Sequence, residues 1–244
     1  MRKLGRPPAS SSAETRQRIL DVARVSFAEL GYGVTTNKYV VTKAGITTGA
    51  LYHYFDSKLD IYLAVHEHVQ DTVYARFRLA TAEHDTFLGQ FEAILQAAFE
   101  LNVQDPSLAR FLGSARIDLA RHDELRETMV ARPGEGTAVL HGLIACGVAT
   151  GEIRPADRRQ VAAFLRTVFV GLVDAVSDDV EEHGAAIAAI RALLHGQLLA
   201  PPRPPRPGRR RAARGAPAPP GPQGSRVVSG GGRRRRCCPR STSR

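Results

Sequence analysis

The chain has no tryptophan, only two methionines and three cysteines, and aromatic residues make up 6% of it. Cys146, Cys237 and Cys238 are too few and too unevenly spaced for a disulfide framework or a zinc site. No apolar run reaches the ~18 residues that suggest a membrane span. The basic start, MRKLGRPPASSSAE, leads into no apolar segment of the kind that directs secretion. A reduced, cytoplasmic setting without membrane contact is expected. Also missing are a Gly-rich phosphate loop, a nucleophile elbow and paired glycines after a strand. His66 and His68 stand two apart on a helical stretch and point to different faces, so they share no metal. His122 and Asp123 fall in the charged run ARHDEL, which reads as a solvated face. No enzyme activity, cofactor or metal is expected.

What is present is charge, unevenly placed. Residues 1–58 hold 9 Lys and Arg against 4 Asp and Glu, and residues 59–200 hold 12 against 20. Residues 201–244 hold 13 arginines and no acid. A basic head on an acidic body suits a protein that touches nucleic acid at one end. The last segment, rich in Arg, Pro and Gly, has almost no large apolar residue to offset its ordering entropy and reads as a disordered tail. Such a tail could bind any polyanion through counterion release, and non-specific nucleic-acid binding by the tail is the alternative reading of function; equally, the tail could contribute nothing. Arg2, Lys3 and Arg6, stiffened by Pro7-Pro8, form an N-terminal arm over residues 1–12 that either enters a minor groove or is an ordinary loose terminus.

Between arm and tail the apolar residues recur at helical spacing and no strand alternation is found, which predicts an all-α chain. A first helix is expected over 13–30, with Ile19, Ala23, Phe27 and Leu30 on one side and Gly31 as a left-handed stop. Thr36 caps a short second helix to Ala44, Gly45 ends it, and Thr47 caps a third through Phe55. Asp56-Ser57 caps a fourth from Lys58. Further helices are expected over 86–104, 107–131, 136–149, 156–178 and 183–199. The helix over 156–178 carries the clearest stripe, Val161, Phe164, Leu165, Val168, Phe169, Leu172, Val173 and Val176, and the last helix adds Ile187, Ile190, Leu194 and Leu198.

Helix, glycine turn, helix is the layout in which the second helix presents its first residues to base edges. On the helix from Thr47 to Phe55, Leu51 and Phe55 should pack inward while Thr47, Thr48, Gly49, Tyr52 and His53 face out. Threonine hydroxyls can donate or accept at base edges, small Gly49 and Ala50 permit close approach, and Tyr52, Tyr54 and Lys58 offer donors to phosphates.

The stretch FAELGYGVTTNKYVVTKAGITTGALYHYFDSK resembles the DNA-binding domain of the TetR family of bacterial transcriptional repressors. The resemblance rests on Phe27-Ala28, Gly31-Tyr32, Thr36, Ala44-Gly45-Ile46-Thr47, Leu51-Tyr52-His53-Tyr54-Phe55 and Ser57-Lys58, in order and spacing. It implies a three-helix helix-turn-helix domain over 13–58, followed over 59–200 by a helical ligand-binding and dimerisation domain. Thr36, Asn37 and Lys38 would then touch phosphates, with Lys38 able to reach a base. Thr47, Thr48, Gly49, Ala50, Tyr52 and His53 would line the major groove, and Tyr54 and Lys58 would hold flanking phosphates. Val41 stands where the family usually has alanine, which calls for a small shift in helix crossing.

The resemblance further implies a homodimer that reads a palindromic operator in double-stranded DNA, the two stripes forming a four-helix interface. It places the two reading helices about 34 Å apart or somewhat more. A small-molecule effector would enter a pocket among residues 60–175, with Phe87, Phe91, Phe99, Phe111, Met129, Phe164 and Phe169 as candidate lining. The fourth helix, touching head and pocket, is the expected lever between the two.

Overall fold

The computed structural model describes residues 12–130, 135–175 and 178–198. The N-terminal arm, Val176 and the Arg-rich tail with Cys237 and Cys238 lie outside the described residues. Those described form ten α-helices and no strand: α1 Ser12–Val34, α2 Asn37–Ala44, α3 Thr48–Tyr54, α4 Lys58–Thr81, α5 Phe87–Gln104, α6 Pro106–Arg121, α7 Asp123–Val130, α8 Glu135–Ala149, α9 Arg158–Asp174 and α10 Val180–Leu194. A single 3-10 turn, Pro155–Asp157, precedes α9.

Short oxygen side chains start these helices by accepting from backbone N–H groups that the first turn leaves without partners. Thr36 Oγ1 accepts from Tyr39 at 3.2 Å, Thr47 Oγ1 from Ala50 at 3.1 Å and Ser57 Oγ from Asp60 at 3.0 Å. Gly45 ends α2 in the left-handed region at φ 64°, ψ 37°, as its position predicted.

Gly31 does something different. The first helix resumes after it for one more turn, with Gly31 at φ 75°, ψ 169°, an extended left-handed geometry essentially reserved for glycine. It is therefore a kink inside α1 and not a simple helix stop. The kink swings Tyr32 so that its N–H donates to Asp118 Oδ2 on α6 at 3.0 Å. The same oxygen accepts from the Tyr62 hydroxyl on α4 at 3.3 Å. Lys58 closes the joint from the other side: its Nζ donates to the Tyr32 carbonyl at 2.8 Å and lies 4.1 Å from the centre of the Tyr32 ring.

Around that joint the core runs without interruption. Ile19, Phe27, Val40 and Leu51 of the head belong to one apolar cluster with Ile61, Tyr62, Phe91, Phe111, Leu165 and Ile187 of the body. Phe27, Tyr32, Tyr62 and Phe111 pass from head to body as a relay of ring contacts with centroids 4.9–6.1 Å apart. The largest helix pairing is α1 on α6, with α4 second against the head. The coupling between the two parts thus runs through α6 as well as through the fourth helix.

One expected helix divides. The stretch 107–131 breaks at His122, whose backbone is extended at φ −124°, ψ 108°. The break lays the His122 ring edge-on against Tyr32 at 5.1 Å, so a residue expected on a solvated face is half-buried against the joint. A tertiary contact overrides local helical preference here.

Two measurements follow from this packing. Asp118→Ala leaves a buried N–H and a buried hydroxyl without their acceptor, and should cost about 1–3 kcal/mol in chemical denaturation, with Asp118→Asn recovering part of the loss. Burial also holds the His66 imidazole down at about 4, against an ordinary value of 6.5. The unfolded chain therefore binds a proton that the folded chain refuses, and stability should fall as pH drops from about 6.5 to about 4. A His66→Leu variant should show a shallower fall of melting temperature across that window.

Candidate nucleic-acid interface and internal cavity

The third helix is two turns long and two-sided. Leu51 is fully buried and Phe55, just past the C-terminal end, is nearly so; both belong to the core cluster shared with α1 and α2. Thr47, Thr48, Gly49, Tyr52 and His53 are exposed, and Ala50 and Tyr54 are half-buried. Tyr52 keeps half its surface open while its hydroxyl accepts from Asn37 Nδ2 at 3.4 Å, which ties the outward face of α3 to the start of α2. His53 packs edge-on against Tyr54 at 5.1 Å, and the Tyr54 hydroxyl accepts from Ser12 at 3.2 Å. Thr36 and Lys38 are exposed at the first turn of α2.

Val41 is buried at the α2–α3 approach, so valine is accommodated there. Lys58 departs from its expected setting. Half-buried and bonded to Tyr32, it fastens the head to its own fourth helix, and only its remaining N–H groups are open to an outside oxygen. The outward side of α2 adds a pair that sequence reading passed over: Lys43, exposed, lies 5.6 Å from the Tyr39 ring one turn earlier. The i, i+4 spacing of aromatic and cation was the available signal.

The body holds an apolar cavity of about 140 Å³ between α4, α5, α6, α8, α9 and α10. Of the seven residues expected to line a pocket, only Phe169 does. Phe91 and Phe111 are fully buried core, Phe87 stacks on Phe91 at 6.0 Å, and Met129 packs on the core from α7. Phe164 is exposed, and Phe99 lies beside His183 with ring centroids 6.0 Å apart. The walls are instead Val73, Phe77, Leu101, Leu108, Leu112 and Val139, with Tyr74, Asn102 and His183 as the polar members. No local pattern marks these residues, because they come from helices distant in sequence.

The expected dimer stripe also turns. Leu165, Leu172 and Ile187 are buried inside the single chain and cannot face a partner. Val161, Val168, Phe169, Ile190 and Leu194 are half-buried against the same core, and Val173 joins the cavity wall. The centre of the stripe covers α5, α6 and α8. Of the expected stripe, Phe164 and Leu198 remain exposed, and outside it Val170 on α9 and Leu193 on α10 are exposed as well.

Among the described residues no helix is long and apolar enough to cross a membrane, and no group of three or more potential metal ligands is found.

Residues 19–65 match the family described as bacterial regulatory proteins, tetR family. The transcriptional repressor KstR2 of Rhodococcus jostii is 32% identical over 97 residues, which cover 38% of this chain and 48% of that protein. The chain spans about half the length of the curated relatives it matches. Two solved structures share the fold. GusR of Salmonella enterica is 23% identical with a TM-score of 0.58, covering 78% of this chain and 98% of that one. FadR of Bacillus subtilis, solved in complex with stearoyl-CoA, is 20% identical with a TM-score of 0.56, covering 72% and 97%. Residues 19–65 thus carry a domain of the tetR family of bacterial regulatory proteins, and the all-helical chain shares the fold of these solved structures.

Proposed function

We propose that the protein is a homodimeric, sequence-specific DNA-binding repressor that occupies a palindromic operator and is released when a small molecule enters its body. The observation that carries this reading is the division of α3 between a buried anchor, Leu51, and an open face of Thr48, Gly49, Tyr52 and His53. That face offers hydroxyls, a threonine methyl, an imidazole and a bare backbone, the chemistry that reads base edges in a major groove. Thr36, Lys38 and the Tyr54 hydroxyl flank it as phosphate contacts that fix register, and Thr47 and Ala50 complete the groove-lining set. Asn37, tied to Tyr52, holds the two helices in one arrangement.

The exposed Phe164 and Val170 of α9 and Leu193 of α10 support the dimer, since large apolar side chains open to water favour a self-complementary contact. The cavity supports the ligand. A compound that binds better when the two heads are wrongly spaced must weaken operator binding by the same factor. The Tyr32–Asp118–Tyr62 joint is where a shift of α4 or α6 around an occupied cavity would reach the head.

Sequencing DNA selected by the purified protein tests the reading: it should return an inverted repeat with half-sites about one helical turn apart or somewhat more. Tyr52→Ala should weaken binding to all sequences, whereas Thr48→Ala should change which base is preferred by about 1–3 kcal/mol at one position of each half-site. An unchanged preference in Thr48→Ala sinks this placement of the groove face. Separately, a Phe164→Glu, Val170→Glu double variant should sediment as a monomer and lose operator binding while retaining its helical signal.

A further inference from the structure

The polar members of the cavity wall are Tyr74 and, at one place, a buried pair. Asn102 on α5 and His183 on α10, 81 residues apart in sequence, meet there with Asn102 Nδ2 and His183 Nδ1 2.9 Å apart. Both side chains are buried, His183 to 3% exposure. The amide nitrogen has only hydrogens to give, so Nδ1 is the acceptor and the ring proton resides on Nε2. That Nε2 is buried and has no partner among the described residues. A buried donor left unmet costs about 1–3 kcal/mol, a cost that a native core rarely carries without use.

We propose that His183 Nε2 is the polar anchor of the effector site, donating to a carbonyl oxygen on a compact, otherwise apolar and uncharged ligand. The inference rests on the regulator reading above and names the ligand class that reading leaves open. Burial lowers the proton affinity of His183, which keeps the ring neutral near pH 7 and makes it a donor without making it a counter-ion for an acid. Among the described residues no lysine or arginine lines the cavity, so a carboxylate or phosphate would find no cation among them. At about 140 Å³ the space is close to an apolar cavity of about 150 Å³ that takes one benzene. The ligand, or the part of it enclosed, therefore has about six to eight heavy atoms, as in a cyclic or short-chain ketone, ester or lactone. Asn102 sets the tautomer and ring orientation and is a positioning residue; His183 makes the contact.

The test uses the full chain and two probes of the same shape, cyclohexanone and methylenecyclohexane, which differ by an oxygen for a CH₂. Calorimetric titration gives the ratio of their affinities, and comparing that ratio between proteins removes the difference in their hydration. The ratio should fall about ten-fold in His183→Phe and be largely kept in His183→Gln, whose amide can still donate. In the unaltered protein, cyclohexanone should shift the His183 Nε2 nitrogen resonance and methylenecyclohexane should not, a readout independent of how any variant folds. An unchanged ratio, an unmoved resonance, or no saturable binding of either probe overturns the assignment. Operator binding is measured on the same preparations. A chain that shows the His183-dependent ratio but selects no DNA loses the regulator reading and keeps the site, while the reverse result removes the site alone.

Discussion

The carboxyl group of Asp118 takes two hydrogen bonds, one from the backbone of Tyr32 and one from the hydroxyl of Tyr62. The three residues belong to α6, the kinked end of α1 and α4, so a single buried side chain holds the head at a fixed attitude to the body. Much around it serves that contact. Gly31 adopts a backbone geometry that aims Tyr32 inward, Lys58 caps the Tyr32 carbonyl, and the aromatic relay fills the space behind. Burial strongly opposes ionisation of the Tyr62 phenol beside Asp118, so its hydroxyl remains a neutral donor to that carboxylate.

The head was legible from sequence because its determinants are local. A threonine or serine accepting an N–H three residues ahead is decided within one turn, and Thr36, Thr47 and Ser57 all cap as their positions predict. The outward set of α3 follows from Leu51 and Phe55 facing in, which periodicity alone fixes. Lys58 was the exception. Its charge invited a phosphate, but the carbonyl it reaches is presented by Tyr32, 26 residues away, through a kink that no short window reveals.

The body was legible as a list of helices and much less as a set of surfaces. A wide stripe on α9 says that the helix is buried, not by whom. Leu165 and Leu172 answer to their own chain, while Phe164 stays exposed. The cavity was missed for the converse reason. Phenylalanines draw attention, yet Phe91 and Phe111 fill space, and the void is lined by smaller residues such as Ala98 of α5, Ala109 of α6 and Val139 of α8. The division of α6 from α7 at His122 likewise answers to Tyr32, not to its neighbours in sequence.

The short third helix keeps its structural duty and its outward chemistry on opposite sides. Leu51 alone is wholly enclosed, while the exposed Thr48, Gly49 and His53 contribute little to holding the fold. Exchanges among the latter therefore carry almost no penalty in foldedness, and the outward chemistry of α3 can change by small steps, each intermediate remaining a sound protein.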